Sequence, residues 1–160
     1  MMFRRAFLVF ASIVASCSAH DASAEDWLQF GSEGVKPDRH IFLVDLDSIE
    51  RGTSRRTARF AILSEKSRLN EPAQVITAWV MDCDKRDGQI VGAELRGKDG
   101  SLRGLVKEKP VGSGLGELER GPGMLGIVCD SRWPSGAHYR NGQTLTQIYR
   151  QEFDAKAHGD

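Results

Sequence analysis

Nine consecutive residues, Val75-Ile76-Thr77-Ala78-Trp79-Val80-Met81-Asp82-Cys83, place apolar side chains on both sides of an alternating pattern. Val75, Trp79, Met81 and Cys83 fall on one side, Ile76, Ala78 and Val80 on the other, so this strand belongs in the middle of a sheet. Asp84-Lys85-Arg86-Asp87-Gly88 follows at once, and its closing Asp-Gly leads into a second β-like run from Gln89 to Leu95. The pair reads as a hairpin.

The rest of the chain is arranged around that hairpin. Asp26–Phe30, His40–Leu46 and Thr57–Leu63 read as strands before it, and Leu102–Val106, after the Asp99-Gly100 turn signal, as a strand behind it. About six strands at hairpin-length spacing predict an antiparallel meander. Asp47 and Ser48 can cap a short helical turn through Ile49 and Glu50. Pro110–Gly116 is a flexible crossing, and its glycine spacing, with no βαβ unit around it, excludes a dinucleotide loop. Pro122–Cys129 is short and apolar; its period fits strand or helix, and Pro122 near a first turn favours helix. In Thr144–Ala157, Leu145, Ile148, Tyr149 and Phe153 form one helical stripe, with Thr144 and Gln147 spaced as a capping box. The expected class is therefore α+β: an antiparallel sheet with one or two helices packed on one face.

The N-terminus differs in kind. Arg4 and Arg5 precede an apolar run, Phe7 to Ala15, that is too short to span a bilayer and reads as a secretion signal. Two processing readings stay open. Ala22-Ser23-Ala24 is an A-x-A site that would make Glu25 the first mature residue, giving a signal over 1–24 and a single domain over 25–160. Val14-Ala15-Ser16-Cys17 instead resembles a lipobox, whose Cys17 would be lipidated and tie the protein to a membrane. Cutting after Ala24 also removes Cys17. Cys83 and Cys129 then remain in an oxidising compartment, and a disulfide between them is expected. Closing that loop would restrict the unfolded chain by about 4 kcal/mol in the chain-entropy model.

Composition narrows the function classes. The full chain has 22 basic and 22 acidic side chains, and losing Arg4, Arg5 and Asp21 with the signal leaves 20 and 21. A near-neutral domain lacks the basic excess of a nucleic-acid binder. The four histidines, His20, His40, His138 and His158, stand in no H-E-x-x-H or H-x-H spacing, so neither a metal site nor a cofactor is expected. No G-x-S-x-G or S-x-x-K motif offers a nucleophile, and the carboxylate pairs Asp45/Asp47 and Asp82/Asp84 are of a kind common at strand ends. These readings point away from an enzyme. One charged feature remains: Arg51, Arg55, Arg56 and Arg59 cluster about one connection and form a candidate patch for anionic glycans or acidic proteins.

Trp27, the strand leading into Val44-Asp45-Leu46-Asp47-Ser48-Ile49, the central strand ending in Cys83 with basic residues after it, and Pro122-Gly123 leading to Cys129 together resemble the surface-adhesin protein E family of bacteria. The resemblance covers Trp27 to Cys129, leaving 130–160 as a C-terminal helical extension. It implies an exported domain with a sheet packed on helix, a dimer, and binding to host extracellular-matrix proteins. The expected function is a non-enzymatic binding module of the envelope, periplasmic or at the cell surface. The alternative is an accessory or structural envelope protein, lipid-anchored through Cys17 and without a host ligand.

Overall fold

The computed structural model describes residues 25–50, 54–66, 71–107, 123–140 and 142–154. The alternating runs become β1 (Trp27–Glu33), β2 (His40–Asp45), β3 (Arg55–Ser64), β4 (Gln74–Asp82), β5 (Asp87–Arg96) and β6 (Leu102–Val106). Each pairs antiparallel with the next, as the meander requires. A seventh strand, β7 (His138–Tyr139), extends the sheet beyond β1 to give the order β6-β5-β4-β3-β2-β1-β7. At two residues it is too short to show any period in sequence. The segment after Cys129 is thus woven into the sheet's edge rather than appended to it.

Two cores lie against this sheet, one on each face. On one face, Trp27, Ile41, Leu43, Ala61, Leu63 and Ile76 pack under α2 (Leu145–Tyr149), which contributes Leu145, Ile148 and Tyr149. A π-helical turn, Arg150–Asp154, continues α2 and adds Phe153 to the same core. On the other face, Leu28, Val44, Phe60, Trp79 and Met81 pack under α1 (Met124–Asp130), which contributes Met124, Leu125, Ile127 and Val128. The α+β class and the meander are as expected. The placement of helices on one face is not, because each helix takes a face of its own. The pattern of β4 required this, since Ile76 enters one core while Trp79 and Met81 enter the other.

Local signals explain how each helix is held. Thr144 caps α2 by accepting from the Gln147 amide, and the Gln147 side chain returns a bond to the Thr144 amide, the reciprocal pair expected from the spacing. α1 has seven residues, too few to be stable alone, and starts from Gly123 with no side-chain cap. The Cys83–Cys129 disulfide, with Cα atoms 5.4 Å apart across a separation of 46 residues, pins it to the end of β4. Arg56 Nη1 donates to the Val128 carbonyl at 2.6 Å, and Arg86 pairs with Asp130 at 2.8 Å, so cations meet the helix's C-terminal end.

The turn after β2 forms two to three residues earlier than its sequence signal suggests. It is a 3-10 turn over Leu46–Ser48, and its cap is Asp45, whose Oδ1 accepts from the Asp47 amide at 3.2 Å. Ser48 Oγ instead donates to the Asp45 carbonyl and accepts from the Arg59 amide, tying the turn to β3. Cross-strand pairing with β3 through Asp45 keeps β2 extended to that residue.

Candidate binding surface

Register places one row of side chains across the α2 face of the sheet: Tyr139 of β7, Trp27 of β1, Asp45 of β2, Arg59 of β3, Ala78 of β4 and Gly92 of β5. Tyr139 and Trp27 enter the α2 core, while Arg59, Ala78 and Gly92 line a space beside it. Where Ala78 and Gly92 leave room, a hollow of about 200 Å³ opens, lined by Arg59, Ile76, Ala78, Glu94, Leu105 and Val106 among others. Its walls are mostly apolar, and Arg59, Glu94 and Lys107 are its charged members. Glu94 is held by Arg96 at 2.6 Å.

At the sheet's edge the hollow meets β6, whose only sheet partner among the described residues is β5. Leu102 and Leu105 are 56% and 61% exposed. Both point to the α2 face, opposite Arg96 and Glu94 of β5. Two outward leucines on an edge strand therefore lie beside a mostly apolar hollow.

The Arg59 end of the row is a charge cluster. Arg59 lies directly opposite Asp45, and its Nη1 is 3.3 Å from Asp45 Oδ2. Both guanidinium nitrogens reach Glu25 Oε1 at 3.3 Å, and the Trp27 indole donates to Glu25 Oε2 at 3.0 Å. The guanidinium also lies 5.8 Å from the Trp27 ring centre, within cation–π range. Asp45 is 3% exposed. Burial pushes its carboxyl above the ordinary range, the Arg59 charge opposes that push, and the Glu25 charge adds to it.

The three described arginines of the sequence patch, Arg55, Arg56 and Arg59, do not share one face. Arg55 and Arg59 lie on the α2 face and Arg56 on the α1 face, because neighbours on a strand point to opposite sides. Arg56 is spent on the α1 carboxyl end and Arg59 on two carboxylates. Arg55 stands opposite Asp82, whose carboxyl is held below its usual range chiefly by the Lys85 amide, with the Lys85 and Arg55 charges assisting. Arg51 and Cys17 lie outside the described residues, as does the whole 1–24 signal reading. The residues that sequence reasoning missed are Leu102, Leu105 and Glu25. The two leucines stand in a run with no polar alternation to mark an outward face.

Among the described residues, no three His, Cys, Asp or Glu side chains converge as a metal site, and no helix is long and apolar enough to cross a membrane. No family model matches the chain, and neither a curated protein nor a solved structure matches it.

Proposed function

We propose that this protein is an exported, non-enzymatic binding module of the bacterial envelope that captures an extended segment of an extracellular protein along β6, an edge strand among the described residues. The observation that supports this reading is the pair of exposed leucines on that edge, Leu102 and Leu105, the second of which also lines the apolar hollow. An edge strand offers outward amides and carbonyls for main-chain pairing. A hollow beside it gives side-chain selection at alternate positions of the added strand. The partner segment should therefore be extended and carry apolar side chains two residues apart.

A protein partner is preferred to an anionic glycan because Arg56 and Arg59 already hold a helix end and two carboxylates. Freeing either for a sulfate would break those contacts. The resemblance to surface-adhesin protein E points to the same class of ligand.

The test is binding of the exported protein to immobilised extracellular-matrix proteins at physiological salt, with and without heparin. The expected result is binding that resists heparin, falls at least tenfold in Leu105→Glu, and persists in the double variant Arg55→Ala, Arg56→Ala. Heparin competition together with loss in the arginine variant would favour a glycan ligand instead. Absence of any binding would favour the accessory envelope protein without a host ligand.

A further inference from the structure

The cluster at the start of the sheet carries one more acid than base. Glu25 and Asp45 each bring a carboxylate oxygen to 3.3 Å from the single Arg59 guanidinium. Asp45 also accepts a hydrogen bond from the backbone amide of Asp26, whose own carbonyl accepts from the Leu46 amide at 2.8 Å. The residue just before β1 is therefore fixed against the end of β2. The next backbone nitrogen upstream is that of Glu25, one peptide unit on, within about 7 Å of the Asp45 carboxylate. In an uncut chain this nitrogen is a neutral amide.

We propose that the α-ammonium released by cleavage between Ala24 and Glu25 is the second cation of this cluster, so that removal of the signal completes a balanced site of two cations and two carboxylates. The step is a hydrolysis: water adds across the Ala24–Glu25 peptide bond, leaving a carboxylate on Ala24 and an ammonium on Glu25. The proposal rests on the export reading above and on the Ala22-Ser23-Ala24 site. It assigns a role to Glu25 and Asp45 that lipidation at Cys17 would not fill, since the Glu25 nitrogen would then stay in a peptide bond.

Other charges lie nearby. His138 of β7 stands opposite Leu28 and so belongs to the α1 face, where Asp26 meets its Nε2 at 2.7 Å and Arg140 Nε donates to its Nδ1 at 2.9 Å. Asp47 follows Asp45 in the 3-10 turn. These groups are the same in cut and uncut chains, so they do not set the difference between the two. An ammonium within about 7 Å of the Asp45 carboxylate and on the same residue as the Glu25 carboxylate would be held protonated, and its folded pKa would rise above the free α-amino value of about 8. Its contribution to stability is then whole below that free value and lost as pH rises through the folded one.

The experiment uses the whole protein exported by its own signal. Intact mass fixes the first residue, and the rate at which the α-amine is acetylated near pH 7 is then measured in the folded protein and in denaturant. The expected start is Glu25, and the expected folded rate is slower by about tenfold, the change in free amine that one pKa unit brings. Glu25→Met and Asp45→Asn should each move the folded rate toward the denatured one. Shielding by shape alone would not respond to these changes, because each replacement keeps the side chain's size. If Asp45→Asn does not fold, Glu25→Met alone decides. A chain that starts at Glu25 but is acetylated at the denatured rate overturns the proposal and leaves export standing. A start at Cys17 also overturns it with export intact. A chain recovered uncut inside the cell overturns both.

Discussion

Tyr149 shows how one side chain can join a helix to the sheet. Its ring lies in the α2 core, T-shaped against Phe153 with centroids 4.8 Å apart, and its hydroxyl donates toward the carbonyls of Ser64 at 3.2 Å and Glu65 at 3.0 Å. The neutral phenol satisfies these acceptors and a phenolate would not. Burial, with the charges of Asp154 and Glu65 adding to it, pushes the Tyr149 pKa up to about 12. Tyr139 moves the same way, through burial and its bond to Glu152. Because the folded values lie above the unfolded value near 10, the stability these groups give is whole below pH 10 and drains away as pH climbs through about 12. The chain has only two tyrosines, so alkaline absorbance reads both directly. The phenolate signal should stay absent until circular dichroism reports loss of the fold. A gradual titration centred on pH 10 with the fold intact would contradict this account. Replacing Tyr149 by Phe should lower the unfolding free energy by about 1 kcal/mol in urea titration, the value of a typical hydrogen bond.

At the scale of elements, the β5–β6 turn and the first turn of α2 are fitted to one another. Gly100 has φ +81°, and a Cβ built on it would come within contact of Thr146 Oγ1, the atom that also accepts from Gln74 Nε2 at 3.3 Å. Gly100→Ala is expected to cost about 1–3 kcal/mol, combining a left-handed backbone with this obstruction. Thr144→Ala, which removes only the cap, should cost about 1 kcal/mol. Thermal unfolding of the two variants ranks them, and equal midpoints would mean that the turn gives way freely. These contacts also mark what the sequence could reveal. Alternation in residues 26–106 was enough to find six strands and their order, because each strand has to present a hydrophobic side at a period of two. The capping box was equally plain at Thr144 and Gln147. The helix beyond it departs from plain α geometry, with residues 155–157 of its expected span outside the described residues: the stripe through Phe153 is present, but from Arg150 the backbone widens into a π turn, which keeps Phe153 in the core while Arg39 Nη2 donates to the Glu152 carbonyl at 2.6 Å. No local signal records a partner 113 residues away. Arg55, Arg56 and Arg59, close in sequence, are divided between faces for a similar reason. Closeness in sequence along a strand places neighbours on opposite faces, and the partners of Arg56 and Arg59 come from distant segments.

Across the whole molecule, one sheet serves two cores, and the covalent staple belongs to only one of them. The α2 core is closed by a capped helix, a π turn and Tyr149, with no disulfide. The α1 core depends on a seven-residue helix held by Cys129, Arg56 and Arg86. Reducing the disulfide removes a loop constraint of about 4 kcal/mol, a factor of nearly a thousand in an opening equilibrium. That loss should fall unevenly, since the Arg56 and Arg86 contacts are too few to keep so short a helix seated. Hydrogen exchange of the reduced protein should therefore show the α1 amides opening by orders of magnitude more than the paired amides of β2 and β3. Exposure of Met124, Leu125, Ile127 and Val128 should make that state bind a hydrophobic dye before it unfolds. The double variant Cys83→Ala, Cys129→Ala should behave in the same way without reductant, which separates the staple from any effect of the reducing agent. Uniform loss of protection across both faces would mean instead that the sheet couples the two cores into one cooperative unit, and that the staple stabilises the molecule as a whole.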